Sequence, residues 1–254
     1  MIEKSLNKVF IETFEPVMKS KGFQRKGKIF HRIVNGKIVQ LLSYYKFSGP
    51  EFTVQFSILP LCTGFEYSTF MDDSRVCKEF DDIDSWEYEY GTDDFIQYMP
   101  KALKVTQERL FPLFDSTIDY KTYLEYKNNQ RFPGPIFSNL VYMTNLALGN
   151  YELSKKSREA LFKYRIEVYQ ENWGTDYHIA PSTQERDEQD YKEYYQLKEA
   201  MDNNDHETIE QYIYEQEQKS LKSYIKAFTT PKKYKTFLET GNLPFEFIRI
   251  VDPT

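Results

Sequence analysis

Residues 28–59 read KIFHRIVNGKIVQLLSYYKFSGPEFTVQFSIL, and this stretch decides the fold. Its first two β-rich runs flank Asn35-Gly36, a pair that tolerates positive φ at both central positions of a tight turn. A two-residue loop fixes the register of the hairpin. The predicted pairs are Val34 with Lys37, Ile33 with Ile38, Arg32 with Val39, His31 with Gln40, and Phe30 with Leu41.

A third strand is predicted over Phe52–Leu59, where apolar and polar side chains alternate. The turn Ser48-Gly49-Pro50 precedes this run and Pro60 ends it. Alternation of this kind predicts a half-buried strand with one face in the core. The apolar face carries Phe52, Val54, Phe56 and Ile58, and the polar face carries Thr53, Gln55 and Ser57.

An amphipathic helix is predicted before the hairpin. Its apolar residues recur every three or four positions, Gly22 is the expected stop, and Pro16 is expected to kink or weaken its last turns. The apolar face is formed by Ile2, Leu6, Val9, Phe10, Phe14, Val17 and Met18. A helix packed on three antiparallel strands is a stable α+β unit.

The rest of the chain is predicted to be mainly helical. Its strongest helix-breaking run is Arg131–Pro135, which contains two prolines and a glycine. We therefore expect an α+β protein with an N-terminal helix on a small antiparallel sheet, an α+β domain over 1–130 and a mainly helical region over 131–254. The helical region is expected either to be separate or to pack as one unit with the first. Helices are predicted near 100–114, 119–129, 136–148, 151–172, 187–203, 206–228 and 231–241, with a loop at 174–184 and a strand end within 243–251.

The order of helix, Gly-Phe, basic hairpin and aromatic strand resembles a known family. Gly22-Phe23-Gln24-Arg25-Lys26-Gly27-Lys28-Ile29-Phe30-His31-Arg32, followed by Phe52-Thr53-Val54-Gln55-Phe56, is similar to the bacterial family called domain of unknown function 4304. The likeness extends to about Asn129. It implies a fold and a bacterial cytosolic setting, and it carries over no active site.

Composition narrows the class of protein. The chain has 254 residues, a net charge of -6 and two cysteines, Cys62 and Cys77. Two cysteines exclude a disulfide-rich secreted scaffold and favour a reducing compartment. No apolar run reaches membrane-spanning length, and the N-terminus has no apolar signal core. We therefore expect a cytoplasmic protein without a membrane partner, and the pattern leaves its oligomeric state open.

Charge is unevenly distributed along the chain. Residues 61–94 carry eleven acids against Arg75 and Lys78. We call residues 72–89 the acidic segment. It is interpreted either as a solvated loop, as a loop lying on the basic hairpin, or as a protein-docking face anchored by its aromatic residues. A calcium site is disfavoured because the loop glycine and terminal glutamate are missing. The candidate partner-binding residues are Asp72, Asp73, Asp81, Asp82, Asp84, Trp86, Glu87, Tyr88 and Glu89.

The hairpin region between Pro16 and Pro50 carries eight cations and no acid. One hypothesis is nucleic-acid binding, with cations on phosphates and Phe30 or Tyr44 stacked on bases. The alternative is that the lysines only discourage edge-to-edge pairing of strands. The candidate nucleic-acid contacts are Arg25, Lys26, Lys28 and Arg32.

Catalytic signatures are hard to assemble. His31 is interpreted as a partly buried histidine with a hydrogen-bond partner, His178 as a loop residue and His206 as a surface residue. One or both of Cys62 and Cys77 are interpreted as core thiols. No phosphate loop or zinc, serine-hydrolase or paired-cysteine motif is present, so we predict no catalytic, metal or cofactor residues.

Tyrosines form a stripe along two of the late helices, which predicts helix packing, with a ligand groove as the alternative. The stripe is Tyr191, Tyr194, Tyr195, Tyr212, Tyr214 and Tyr224.

The function favoured by these patterns is non-enzymatic protein binding. We expect an immunity-like or adaptor module whose acidic segment covers a basic partner, such as a nuclease toxin. Nucleic-acid binding by the hairpin is the first alternative. A hydrolase using clustered carboxylates of the stretch 72–94 is the second.

Overall fold

The computed structural model describes residues 5–47, 51–65, 74–76, 86–87, 95–129, 139–173 and 181–250. Its centre is an antiparallel sheet in the order β1-β2-β3-β4-β5, with β6 also paired to β4. The strands are β1 (Gln24–Lys26), β2 (Ile29–Val34), β3 (Ile38–Lys46), β4 (Glu51–Pro60), β5 (Ser74–Arg75) and β6 (Trp86–Glu87).

The helices precede and follow this sheet, which confirms the predicted α+β class. A π-helical turn over Thr106–Leu110 joins α2 to α3. The helices are α1 (Leu6–Ser20), α2 (Phe95–Val105), α3 (Phe111–Ser116), α4 (Tyr120–Asn129), α5 (Asn139–Ala147), α6 (Tyr151–Trp173), α7 (Pro181–Asp202), α8 (His206–Phe228) and α9 (Pro231–Thr240). The loop prediction is wrong from residue 181 onward, because α7 begins at Pro181.

The predicted hairpin register is wrong by one residue. Val34 lies opposite Ile38 and His31 lies opposite Leu41, because Lys37 is an extra residue in the loop. The Lys37 N–H still donates to the Val34 carbonyl at 3.0 Å, but the Lys37 carbonyl accepts from Leu61 beyond the end of β4. Such a bulge shifts every later pair by one position.

Helices cover both faces of the sheet, whereas the sequence predicted a helix on one. On the first face Phe10 of α1 packs on Phe30, and Phe114 of α3 packs on Phe56. On the second face His31 of β2 contacts α8. The central strands therefore lie in the middle layer of three.

The prediction of a half-buried third strand is wrong for the same reason. Thr53 and Ser57, on the polar face of β4, have no exposed surface, and Gln55 is 8% exposed. Strand β4 contacts α4 and α5 as well as its neighbouring strands. Polar residues on this face are core residues because a second layer of helices covers them.

The stretch 243–251 forms one parallel bridge instead of a strand end. Ile248 bridges to Val34, and its N–H donates to the Ile33 carbonyl at 2.9 Å. The contact covers part of the β2 edge that β1 leaves open. It also explains Gly22, which has φ +78° and no room for a Cβ, since one would lie 2.7 Å from the Ile248 side chain.

The buried apolar side chains of residues before and after 130 belong to one cluster. Phe10, Phe30 and Phe56 come from the first part, and Tyr224 and Phe228 come from α8. The predicted boundary at 130–131 itself lies outside the described residues.

His31 is buried and hydrogen-bonded, as the sequence predicted. Its Nδ1 lies 2.6 Å from the Tyr224 hydroxyl, and its ring stacks on Phe228 with centroids 4.1 Å apart. Burial, with a smaller contribution from the charge of Lys26, lowers the pKa of His31 from 6.5 to about 3.

This pKa difference predicts an acid-sensitive fold. Below pH 6.5 the unfolded chain binds a proton at His31. The folded chain does not bind this proton until the pH falls to about 3. Stability therefore falls as the pH drops through this window, by at most about 1.4 kcal/mol per pH unit from this group. The variant His31→Gln is expected to flatten the dependence of the unfolding free energy on pH between 6.5 and 4.5. Urea titrations check this, with the exposed His206→Gln as control. An unchanged slope in His31→Gln would contradict the assignment.

Candidate functional site

Two short pieces of the acidic segment, β5 and β6, pair with one edge of the sheet. The backbone of β6 pairs with Phe52 and Glu51, and β5 pairs with Phe56 and Gln55, all on β4. Both short strands therefore occupy the outer edge of β4. Of the predicted partner-binding residues, only Trp86 and Glu87 lie within the described backbone. The others, Asp72, Asp73, Asp81, Asp82, Asp84, Tyr88 and Glu89, lie outside the described residues.

The basic hairpin begins at the opposite edge. Strand β1 and the edge formed by β5 are four strand spacings apart, or about 19 Å. Arg25 bonds to Glu15 of α1 at 3.1 Å, and the Lys28 ammonium lies 4.8 Å from the centre of the Tyr44 ring. Both of these cations, Arg25 and Lys28, therefore contact residues outside the acidic segment.

Lys26 caps the C-terminal end of helix α8. Its ammonium donates to the carbonyls of Ala227 at 2.5 Å and Thr229 at 3.0 Å. The last carbonyls of a helix lack intrahelical donors and carry partial negative charge, so a lysine here stabilises the helix end. Lys26 thus ties β1 to α8.

Arg32 is buried, with 5% of its surface exposed, so its assignment as a phosphate contact is corrected. Its guanidinium donates to Gln40 at 2.7 Å, to the Lys21 carbonyl at 2.6 Å and to Asp115 at 3.0 Å. Burial by itself would raise the pKa of Asp115, but hydrogen bonds from Lys21 and Arg32 hold it below its usual range. This network joins the first sheet face to α3.

Lys37 and Cys62 belong to a second internal cluster. The Lys37 ammonium lies 2.7 Å from Glu217 of α8, whose carboxylate also accepts from the Tyr120 hydroxyl at 2.5 Å. Cys62 is buried beside Thr144, and burial raises the pKa of its thiol to about 12. Cys62 is therefore an unreactive core thiol, as predicted. Cys77 lies outside the described residues.

A polar cavity of about 250 Å³ lies among α5, α6, α7 and α8, which we call the four-helix cavity. Its chemistry-bearing side chains come from all four helices. They are Asn139 and Tyr142 from α5, Arg158 from α6, Asp190, Glu193 and Tyr194 from α7, and Tyr212, Gln216 and Lys219 from α8.

Arg158 has more donors than described acceptors. It is 7% exposed and lies between the rings of Tyr142 and Phe162, at 5.1 and 4.7 Å from their centres. One N–H donates to Asn139 at 2.9 Å, and the guanidinium forms an ion pair with Asp190 at 3.6 Å, which is longer than a hydrogen bond. Its buried Nε has no hydrogen-bond partner in the described chain.

The buried hydroxyl of Tyr142 is a second polar group that has no hydrogen-bond partner among the described residues. Burial raises the pKa of Tyr142, with a further contribution from Tyr212 that outweighs the opposing effect of Arg158. Burial also raises the pKa of Tyr212 to about 12, helped by the charges of Glu193 and Asp190. These hydroxyls stay protonated at neutral pH and remain hydrogen-bond donors.

Most of the residues that line this cavity were not predicted from the sequence. The tyrosine stripe raised a ligand groove as an alternative, and Tyr194 and Tyr212 of the stripe do line the cavity. Tyr195 and Tyr214 are exposed instead. Arg158 and Tyr142 lie on other helices, and no motif in the sequence marks them.

Other functional signals are few. His206 begins α8 and bonds to Tyr151 at 2.7 Å, while His178 lies outside the described residues. Across the described ranges, no group of three metal-ligating side chains comes together. Among the described helices none is long and apolar enough to cross a bilayer.

Comparison of the chain with protein-family models, curated proteins and solved structures finds no match.

We expect substitutions of two hairpin cations, Arg32 and Lys28, to differ in their effect on the free energy of unfolding. Arg32→Gln leaves Gln40 and the Lys21 carbonyl without a buried donor, so the unfolding free energy should fall by about 2–3 kcal/mol. Lys28→Gln, on an exposed cation, should change it by less than about 0.5 kcal/mol. Urea denaturation measures both. Equal effects would contradict the structural role of Arg32.

Proposed function

We propose that this protein is a non-enzymatic binding module that uses the acidic segment to hold a basic protein partner. The observation that carries the proposal is the position of that segment. Ser74–Arg75 and Trp86–Glu87 of the segment pair with the outer edge of β4, four strand spacings from β1. This position of the two strands favours a docking surface over a loop folded back on β1.

Three of the hairpin cations support the proposal because their carboxylate partners come from helices. Glu15 of α1 pairs with Arg25, Asp115 of α3 with Arg32, and Glu217 of α8 with Lys37. At physiological salt, charges farther apart than about 8 Å across solvent are strongly screened. The two described strands of the acidic segment lie about 19 Å from β1, which supports an external cation, rather than the cations of β1, as the partner of the acids.

The composition of the segment suits a protein partner. Aromatic residues supply the large contact area that carries binding energy, while the acids steer a basic partner and speed association. Trp86 lies within the paired strand β6, so its backbone is held by the sheet. The proposal includes an immunity-like or adaptor role in the bacterial cytoplasm. The bacterial cytoplasmic setting rests on the family resemblance and on the low cysteine content, and the immunity-like or adaptor role rests on the acids and aromatic residues of the acidic segment.

The hairpin is less well suited to nucleic acid. Three of its four candidate contacts, Arg25, Lys26 and Arg32, already bond to groups within the protein. Lys28 is exposed and lies over the ring of Tyr44. These four residues form a small electrostatic footprint compared with proteins that neutralise many phosphates.

Neutralising the acidic segment tests the proposal. The triple variant Asp81→Asn, Asp82→Asn, Asp84→Asn is compared with wild type in affinity capture from a bacterial lysate at low salt. The captured protein is then purified for stopped-flow association. We expect a basic protein whose association rate falls about 10-fold or more as salt rises, and falls similarly in the triple variant at low salt.

The matched control removes three negative charges elsewhere. Glu199→Gln, Glu210→Gln and Glu239→Gln change exposed helical positions and give the same net charge as the first triple. The control is expected to retain at least half of the wild-type rate. Equal association of wild type and the Asp81/Asp82/Asp84 variant at low salt would end the proposal.

A further inference from the structure

We propose that the lysines around the junction of β1, α8 and α9 bind the phosphate backbone of a nucleic-acid duplex. We call these residues the basic end. They are Lys26, Lys28, Lys222, Lys226, Lys232 and Lys233. Strand β1 lies at the opposite edge of the sheet from β5 and β6. The inference therefore does not depend on the protein-binding function proposed above.

Two acid-free stretches of the chain meet at the basic end. The first is the hairpin region, and the second is residues 218–238, which contain six lysines and no aspartate or glutamate. They meet where the Lys26 ammonium donates to the carbonyls of Ala227 and Thr229. The hairpin alone is a small electrostatic footprint, and α8 and α9 add four lysines of the basic end to it.

The charges of the basic end are not cancelled by described carboxylates. Its four lysines on α8 and α9 are exposed and form no ion pair within the described ranges. Lys235 of α9, by contrast, lies 3.7 Å from Glu239 and is not counted. Lys26 contacts backbone carbonyls and Lys28 contacts an aromatic ring, so both remain positively charged sites.

The start of α9 adds to the positive potential. Lys232 and Lys233 lie in the first turn of α9, which contains no acidic residue. The N-terminus of a helix carries a partial positive charge that favours phosphate, and the two lysines add to it. On α8, Lys222 and Lys226 are one turn apart and therefore lie on the same side of the helix.

The exposed residues of these helices favour nucleic acid over a protein or a lipid surface. From 222 to 236 every exposed residue is Lys, Thr or Pro, and the exposed Leu238 and Leu243 lie after this stretch. Protein interfaces use aromatic anchors, and interfacial helices insert an apolar face into lipid. A surface of lysines without such groups is typical of contacts to a nucleic-acid backbone.

The aromatic residues near the hairpin lysines favour a duplex over a single strand. Proteins that bind single strands stack the bases on aromatic side chains. Phe30 has no exposed surface, and Tyr44 packs on Phe10 with ring centroids 5.0 Å apart and contacts Lys28. Because both rings are already engaged, the lysines are left to contact phosphates, whose charge density is highest in a duplex.

The negative net charge of the chain does not prevent this contact. The two described strands of the acidic segment lie about 19 Å from β1. This distance exceeds the roughly 8 Å over which charges act across solvent at physiological salt. Repulsion from Glu87, the described acid of that segment, is therefore weak at β1.

The experiment measures binding of the full chain to a fluorescently labelled DNA duplex of about 20 base pairs by anisotropy. If about five phosphates are contacted, Kd should rise about 20-fold as the salt concentration doubles from about 50 to about 100 mM. An RNA duplex of the same length is expected to bind similarly, because the lysines contact phosphates without reading bases. The single strand is expected to bind more weakly.

A fourfold variant locates the site. It combines Lys222→Gln, Lys226→Gln, Lys232→Gln and Lys233→Gln. We expect duplex binding at low salt to weaken at least about 10-fold, and the effect of doubling the salt to fall from about 20-fold to about 2-fold. All four positions are exposed, and two of these changes remove positive charge from a helix N-terminus. The Tm of the variant should therefore equal or exceed that of wild type.

The matched control removes four exposed lysines from α2, α4, α6 and α7. It combines Lys104→Gln, Lys121→Gln, Lys156→Gln and Lys192→Gln, and it has the same net charge as the fourfold variant. Because these lysines lie outside the basic end, the control should bind the duplex within about 3-fold of wild type.

Three results would overturn the inference. If wild type changes the anisotropy of neither duplex at low salt, the basic end binds no nucleic acid. If the fourfold variant and its control bind the duplex equally well, the contact lies elsewhere. If the single strand binds more tightly than the duplex, or if the four lysines bind phosphatidylserine vesicles but not the duplex, the partner is not a duplex.

Discussion

The fold depends on one constraint: strands β2, β3 and β4 are buried on both faces, although they carry polar and charged side chains. Each such group loses its water and must find a partner inside the protein. Arg32 meets Asp115 and Gln40 on the first face, and His31 meets Tyr224 on the second. Those partners belong to α3 and α8. The sheet is therefore completed by helices from both parts of the chain.

Helix α8 has the most varied role in this arrangement. It supplies the hydroxyl that bonds to His31, the terminal carbonyls that bind Lys26 and the carboxylate that binds Lys37. Another part of the same helix lines the four-helix cavity. Helix α8 thus binds two of the hairpin cations, Lys26 and Lys37, through groups of the same chain.

The sequence predicted the local structure well where local chemistry determines it. Gly22 follows the end of α1, and α8 spans His206–Phe228, as expected. The predicted hairpin register was wrong because the extra loop residue Lys37 bonds to Leu61, which follows β4 and is distant in sequence. Polar residues such as Thr53 were expected to face water, since alternation cannot reveal a second helical layer. The four-helix cavity was missed because its residues meet only in the folded chain.

Native-state hydrogen exchange tests the claim that the sheet and α8 form one unit. If each needs the other to satisfy its buried polar groups, the slowest amides of β3 and of α8 must exchange through the same global opening. Their opening free energies should agree within about 0.5 kcal/mol and respond equally to urea. Exchange of α8 through a separate opening, several kcal/mol below that of β3 with a smaller urea dependence, would contradict the account.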